Sequence, residues 1–352
     1  MNEQEKIKSI SVKTLLAGGA IVLAALLVVT AALVYFFPQN SWAMRVRHIL
    51  PYPAILVNGS HPIFFRDTDE DVASIRRFYE SQSDDLSKAG MRVDFSTPDG
   101  QRRLMIREKE LLNKMIEDAA VRILAEERHI SITEDMVSQT VDQKISALGN
   151  NREEVAKQLD RLYGWTISDF EEKIVQPELY KEELSKVYAD GIDTSSSAKK
   201  KIEDAEHDLK QGESFADTAK KYSEGNTAQD GGELGFIPVS SLTEEVKAAS
   251  QKQKLNQVTD IIESPLGFHL IVIEERKQEQ GQDMIRLKQI FTRKITFADW
   301  LTSQMQRMNV TVLFKGYMWD KGTARIEFKQ PEMKAFEENL LQKSQGDASV
   351  LF

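Results

Sequence analysis

The pattern of apolar and polar residues begins with one uncharged segment, from Leu15 to Phe37. At ~1.5 Å per residue a helix of this length would cross a hydrocarbon core of ~30 Å. The run is longer than the ~7–15 apolar residues typical of a signal peptide. We therefore predict an uncleaved transmembrane helix over 15–37, with a cleaved signal peptide, processed near Ser41-Trp42-Ala43, as the alternative.

The middle of the chain has the spacing of amphipathic helices. Residues 38–66 read as a linker with one strand over Ala54–Val57 and a turn at Asn58-Gly59. From 67 to 190, apolar residues recur at helical steps, as at Leu104, Leu111, Met115, Ala119 and Ile123. Ser168 with Glu171 has the spacing of a helix-capping box. This pattern predicts an all-helical domain, and either a packed core or an exposed apolar groove between helices would account for it.

Shorter elements follow from 191 to 294. A small polar linker precedes two helices, and a glycine-rich turn within Tyr222–Phe236 leads into a strand. Phe268–Glu274 reads as a buried strand, and Ile285–Phe291 alternates as a strand does. The turn over Gln280–Asp283 would join these two strands as a hairpin. We expect a small α/β domain in which helices cover an antiparallel sheet.

Two sequence blocks in this region resemble a known family. The first is Ser223-Glu224 followed by Asp230-Gly231-Gly232-Glu233-Leu234-Gly235-Phe236. The second is Gly267-Phe268-His269-Leu270-Ile271-Val272-Ile273. Together they resemble the parvulin-type peptidyl-prolyl isomerase domain, from about Ala198 to Arg276. The resemblance implies rotation about X-Pro peptide bonds, with no covalent chemistry and no cofactor.

The resemblance also implies site residues. The proline pocket and its surroundings fall on five apolar positions: Leu234, Phe236, Leu242, Val246 and Phe268. The polar centre falls on Gly225, Ser264 and His269, with a second histidine expected on the first strand. This chain departs from the pattern, because Gly225 stands where the family has Cys or Asp. Leu242 and Val246 also replace the usual Met and Phe, which predicts attenuated catalysis.

The family's opening strand has no counterpart before Ala198. Ile285–Phe291 resembles that strand, with Gln289 where its histidine stands. A hairpin between this segment and the His269 strand would rebuild the sheet in circularly permuted order. We therefore predict His269, Gln289 and Ser264 as the catalytic group, although Gln289 cannot titrate.

The last part of the chain, 295–352, is predicted to be a small α+β extension with a packing role. A short amphipathic helix runs over Phe297–Met308, and Val310–Phe314 and Ala324–Phe328 suit the two strands of a hairpin. A closing helix follows over Pro331–Gln342. The fold class expected for the whole chain is thus α+β: a transmembrane helix, a helical domain, a parvulin-like domain and this extension.

Composition removes several classes of function. The net charge of -9 and the pI near 5.3 argue against a nucleic-acid binder, which needs a concentrated basic surface. The sequence has no cysteine, so disulfides, thiolate metal sites and cysteine nucleophiles are excluded. The other four histidines are scattered, at His48, His61, His129 and His207, and we predict neither a metal site nor a cofactor.

The order of elements is similar to that of periplasmic or membrane-anchored foldases of the SurA, PpiD and PrsA type. That likeness implies proline-containing or unfolded exported polypeptides as partners. Lys6, Lys8 and Lys13 precede the apolar segment and Arg45 and Arg47 follow it, so residues 1–14 are expected in the cytoplasm and the bulk of the chain outside. The alternatives are a non-catalytic holdase that uses the parvulin domain as a scaffold, and a purely structural envelope protein.

Overall fold

The computed structural model describes residues 12–81, 94–147, 149, 151–191 and 195–343. The chain forms two compact units: one runs up to Leu184 and resumes at Thr302, and the other is Ser185–Leu301. The C-terminal region therefore belongs to the first unit. Most of the predicted cytoplasmic tail, residues 1–11, and the last residues, 344–352, lie outside the described residues, and the domain limits drawn from sequence stay predictions.

The first unit is mainly helical. Its elements are α1 (Val12–Phe36), α2 (Ser41–Ile49), β1 (Pro53–Val57), β2 (His61–Phe64), α3 (Phe65–Ser81), α4 (Pro98–Glu126), α5 (Glu134–Ala147), α6 (Arg152–Tyr163), α7 (Ile167–Phe170), a π-helical turn (Glu171–Val175), α8 (Gln176–Gly191), α12 (Phe297–Arg307), β7 (Val310–Val312), β8 (Tyr317–Asp320), β9 (Arg325–Phe328) and α13 (Pro331–Lys343). The boundaries between the units fall within α8 and α12.

The C-terminal strands pair differently from the sequence prediction. β7 joins β1 in the antiparallel sheet β2-β1-β7, with Leu56 opposite Thr311. The hairpin is instead β8 with β9, in which Tyr317 faces Phe328. The predicted pairing of Val310–Phe314 with Ala324–Phe328 is therefore wrong. The apolar residues of β1 offer β7 a buried partner edge, and local alternation in the sequence cannot indicate so distant a partner.

The C-terminal third of α1 packs against the rest of the first unit. Val34 is fully buried, and the Tyr35 hydroxyl donates a hydrogen bond to the Pro53 carbonyl at 2.9 Å. The hydroxyls of Thr30 and Tyr52 lie 2.6 Å apart. Within the described residues no single helix meets the length and hydropathy needed to cross a bilayer; Ala20–Phe36 and Ser41–Ile49 do so only as a pair, bent by 119°.

The second unit is a sheet covered by helices on both faces. Its elements are α9 (Ser196–Lys210), α10 (Phe215–Tyr222), β3 (Glu233–Pro238), α11 (Glu244–Lys252), β4 (Ile262–Glu263), β5 (Gly267–Glu279) and β6 (Gln282–Arg293). The four strands are antiparallel in the order β3-β6-β5-β4. Helices α9 and α10 pack on one face through Ile202 and Ala219, and α11 packs on the other through Val246.

Candidate functional site

The β5–β6 hairpin forms the centre of the candidate site. β5 and β6 pair antiparallel as the sequence predicts, with His269 opposite Phe291 and Ile271 opposite Gln289. Residues directly opposite in such a pair project from the same face, so His269, Phe291 and Gln289 share one face of the sheet. The rings of His269 and Phe291 lie 4.8 Å apart at an angle of 31°.

Glycines bring two neighbouring segments into close contact with β6. A Cβ on Gly232 would lie 2.4 Å from the Gln289 carbonyl oxygen, and its φ of +79° favours glycine. The Gln289 N–H donates to the Gly232 carbonyl at 2.9 Å. A Cβ on Gly267 would lie 2.1 Å from the Thr292 carbonyl oxygen. The two glycine motifs are therefore shaped to fit the backbone of β6.

Ser223 and Glu224 hold the same strand by hydrogen bonds that sequence reasoning missed. The Phe291 N–H donates to Ser223 Oγ at 3.1 Å, and the Glu224 N–H donates to the Phe291 carbonyl at 2.7 Å. The Arg293 N–H donates to Glu224 Oε2 at 2.7 Å. Burial opposes the charge of Glu224, but the Arg293 amide and the Lys201 ammonium bond the carboxylate, and its pKa is lowered overall. The Ser223-Glu224 pair in the first sequence block is the feature from which these hydrogen bonds could have been predicted.

His269 is a buried, neutral imidazole. Its side chain is 4% exposed, and its Nε2 lies 2.7 Å from Ser264 Oγ, which is also buried. Burial lowers the pKa of His269 to about 4, although the Gln289 side chain and the Glu245 charge favour the protonated form. Nδ1 is buried and completes no hydrogen bond to the described residues, so we treat Gln289 as a polar neighbour of the ring. His269 and Ser264 thus lie beneath the surface.

The predicted proline pocket is partly filled by the protein's own side chains. Val246 is 2% exposed and packs with Ile271 and Leu287, while Leu242 is half-buried against the same cluster. Leu234 is 37% exposed, where β3 has an irregular register opposite β6. The surface at this site is therefore shallow rather than a deep pocket.

Two of the predicted substrate-binding residues lie on the opposite face. Phe268 is buried among the residues that α9 and α10 cover. Phe236 pairs with Arg286, which lies between site-facing residues of β6 and therefore points to the other face of the sheet. The Lys277 ammonium lies 4.0 Å from the centre of the Phe236 ring. The structure does not bring Phe236 or Phe268 to the His269 face.

A cleft borders the site at Gly225. It has a volume of about 760 Å³, and Phe291 and Gly225 line it together with Glu224, Arg293 and Asp299. A Cβ on Gly225 would meet Ser223 Oγ at 3.5 Å and Phe291 Cβ at 3.9 Å, which are ordinary contact distances. A small side chain would therefore fit at this position.

The first unit has a second cleft, of about 790 Å³, between β2, α3, α4 and the start of α8. Ile63, Phe64, Met115 and Tyr180 are among its apolar lining residues, and charged side chains such as Asp71 and Lys173 line it as well. No metal site accompanies either cleft: in the described part of the chain, no three or more His, Asp or Glu side chains are grouped as a metal ion would require.

Comparison with known proteins places the family match on the second unit. Residues 184–275 match the Rotamase family, the PPIC-type PPIASE domain. Chaperone SurA of Methylobacillus flagellatus is 34% identical over 119 residues, which cover 32% of this chain and 27% of that protein. Foldase protein PrsA 1 of Bacillus cereus is 28% identical over 123 residues, which cover 33% of this chain and 42% of that protein.

Among solved structures, PrsA from Bacillus anthracis aligns over 67% of this chain and 97% of its own, with 18% identity and a TM-score of 0.21. The chain spans about a quarter of the length of the SurA relatives that it matches. The family match ends at residue 275, so β6, against which both glycine motifs dock, lies outside it. Residues 184–275, which with the exception of Leu184 lie in the second unit, are therefore similar to the PPIC-type PPIASE domain.

Proposed function

We propose that this chain is a membrane-anchored, extracytoplasmic foldase whose second unit binds X-Pro segments of exported polypeptides and speeds their isomerisation weakly. The observation that carries the proposal is the β5–β6 hairpin, which puts His269, Phe291 and Gln289 on one face beside the glycine motifs. The match of residues 184–275 to the PPIC-type domain and the names of the SurA and PrsA relatives support it.

Catalysis of this reaction requires no bond to be made or broken. Rotation about a peptide bond has a barrier of ~18–20 kcal/mol because it breaks amide resonance. A protein lowers that barrier when it binds the twisted amide better than the planar forms and shields it from water. The exposed Leu234 and the half-buried Leu242 would hold the proline ring, and Phe291 and Gln289 would contact the amide.

In this proposal His269 and Ser264 are positioning residues under the substrate surface. A pKa of about 4 keeps the imidazole neutral at pH 7, and a neutral ring suits a site in which no proton has to move. Burial of Val246, the glycine at 225 and the glutamine at 289 leave few groups that can hold the twisted amide, so we expect slow turnover.

The membrane location rests on the first helix. Ile21, Leu23 and Val28 are each at least 60% exposed to solvent, which is unfavourable for apolar side chains unless lipid covers them. The excess of lysine before the segment supports a cytoplasmic N-terminus. Unfolded exported chains then become the natural substrates of the extracytoplasmic units.

A protease-coupled assay with a proline-containing peptide tests the isomerase proposal. We expect the full chain in detergent to accelerate the cis-to-trans step, and Leu234→Ala to lose most of that acceleration. Leu255→Ala is the matched control, because Leu255 is an exposed leucine of the same unit outside the site. Equal activity in wild type and Leu234→Ala would contradict this placement of the substrate surface.

A non-catalytic holdase is the second candidate. It is favoured by the burial of His269 and Val246, and by the large, partly apolar cleft in the first unit. A holdase would suppress aggregation of an unfolded client without accelerating the peptide reaction. Suppression that is lost in Met115→Glu, which places a charge in that cleft, and kept in Met136→Glu, an exposed methionine of α5, would support this alternative.

A further inference from the structure

Helices α1 and α2 and the turn between them are rich in exposed apolar side chains. Among the described residues, more than half of the large apolar side chains that are exposed lie between Ile21 and Ile49. Five of these side chains lie where α1 meets α2: Phe36 at the end of α1, Phe37 in the turn, and Trp42, Met44 and Ile49 on α2. We call these five residues the corner surface. Such a concentration marks a surface that another phase or partner covers.

Helix α2 has two different sides. Ala43 is buried, and Arg47 turns inward to the carboxylate of Asp69 at 2.8 Å. Trp42 and Ile49 are 64% and 76% exposed, and the guanidinium of Arg45 lies 5.5 Å from the Trp42 ring centre. An outward side that combines tryptophan, aliphatic residues and arginine is typical of helices that lie at a membrane surface.

The bend between the helices gives α2 a suitable direction. The axes of α1 and α2 differ by 119°, so α2 lies about 30° from the plane perpendicular to α1 and points back along it. Over nine residues at ~1.5 Å each, α2 would return by ~6–7 Å, which falls within the ~5–10 Å depth of interfacial helices.

Bilayer thickness places this corner at the outer boundary. Lys13 is the last charge before the apolar segment, and ~20 helical residues are needed to cross the core. The outer boundary then falls near Val34. The bonds that join Thr30 to Tyr52 and Tyr35 to Pro53 would hold the first unit directly against this boundary.

We infer that α2 and the corner surface form a foot that rests in the headgroup layer of the outer leaflet, with Arg45 on anionic phospholipid. The inference rests on the proposed membrane anchor. The foot would give the first unit a second contact with the bilayer, in addition to the bonds that join α1 to Tyr52 and Pro53.

The absence of cysteine allows a direct depth measurement. Met44→Cys, Leu23→Cys and Met136→Cys would each be labelled with an environment-sensitive fluorophore on the full chain, reconstituted in phosphatidylcholine vesicles containing phosphatidylglycerol. Met136 is the matched control, since it is an exposed methionine on α5. Spin-labelled lipids with quenchers at the headgroup and at the acyl-chain end then report depth.

We expect the label at 44 to shift to shorter wavelength and to be quenched most by the headgroup quencher. The label at 23 should be quenched most by the deep quencher, and the label at 136 by neither. A label at 44 that behaves like the one at 136, while the label at 23 is deep, would overturn the foot and leave the anchor intact. A water-exposed label at 23 would overturn the anchor and the foot together. Arg45→Gln should weaken headgroup quenching at 44 in anionic vesicles only.

Discussion

At the residue scale, His269 makes the folding stability of the second unit depend on pH. Its pKa is about 4 in the folded chain and near 6.5 in the unfolded chain. As pH falls below 6.5 the unfolded chain takes up a proton that the buried imidazole does not, so stability is lost between pH 6.5 and about 4. The loss at pH 5 should approach about 2 kcal/mol.

His269→Gln removes this titration, because an amide does not ionise in this range. We therefore expect the melting temperature of the wild type to fall more between pH 7 and pH 5 than that of His269→Gln. Scanning calorimetry of both proteins in the same detergent gives the comparison. Parallel melting curves across this range would argue that the imidazole is solvated and titrates normally.

Gly232 is the residue on which the docking of the glycine turn depends. Gly232→Ala would press a methyl group onto the Gln289 carbonyl, and we expect it to cost more than about 2 kcal/mol of stability. Gly281→Ala is the control: it has a similar positive φ but nothing within 4 Å, and should cost about 1 kcal/mol. Hydrogen exchange of the β6 peptides measures both, and equal protection in the two variants would contradict this interpretation.

The polar centre can be restored at two positions. Gly225 has room for a side chain against Ser223 and Phe291, and the resemblance predicts that Gln289 replaces a histidine of the family. If catalysis is attenuated by these two residues, Gly225→Asp combined with Gln289→His should raise kcat/KM at least several-fold. Asn226→Asp adds the same charge at the next residue of the cleft and serves as the control. If kcat/KM does not rise in the double variant, the slow rate would be due instead to the proline pocket being filled by the protein's own side chains.

At the scale of elements, β6 is required for the second unit. It pairs with both β3 and β5, and its residues Leu287 and Ile290 lie in the cores on opposite faces. A fragment Ser185–Arg276, which contains nearly all of the family match in this unit, should not fold, whereas Ser185–Leu301 should. Nuclear magnetic resonance spectra of the two fragments decide this, and well-dispersed signals from the shorter one would refute it.

The sequence predicts elements whose signals are local, and fails where distant segments compete. Alternation over Ile285–Phe291 and the turn at Gln280–Gly281 were sufficient for the β5–β6 hairpin. The helix predicted to begin at Ser168 begins instead at Ile167, because Thr166 and Asp169 form the capping box. Thr166 with Asp169 and Ser168 with Glu171 both have side chains that can cap a helix. Only the backbone conformation shows which pair does so.

For the site, the resemblance indicated the segments but not how deep each side chain lies. Alternation along β5 puts Phe268 and His269 on opposite faces, so both could not have lined one surface. The burial of Val246 depends on where α11 packs, which no local pattern reveals. The roles of Ser223 and Phe291 depend on the permuted strand, so they become visible only with the sheet in place.

At the scale of the whole molecule, the chain's C-terminal part completes the first unit. The Tyr317 hydroxyl donates to the Glu108 carboxylate, whose pKa is raised by burial. Tyr317→Phe removes the donor and should cost about 1–3 kcal/mol while that carboxylate carries its charge. The cost should shrink as the pH falls through the raised pKa of Glu108, because a protonated carboxyl group needs the bond less. Thermal melts over a series of pH values test this, with Tyr180→Phe, another buried tyrosine of this unit, as the control.

Exchange spectroscopy on a proline-containing peptide tests the central claim most directly. Adding the full chain should produce cis–trans exchange peaks within the mixing time, and the amide signals of Leu234, Gln289 and Phe291 should shift as peptide is added. Shifts confined to the cleft of the first unit, with no exchange peaks, would show a chain that holds clients without turning their prolines, and would contradict the account.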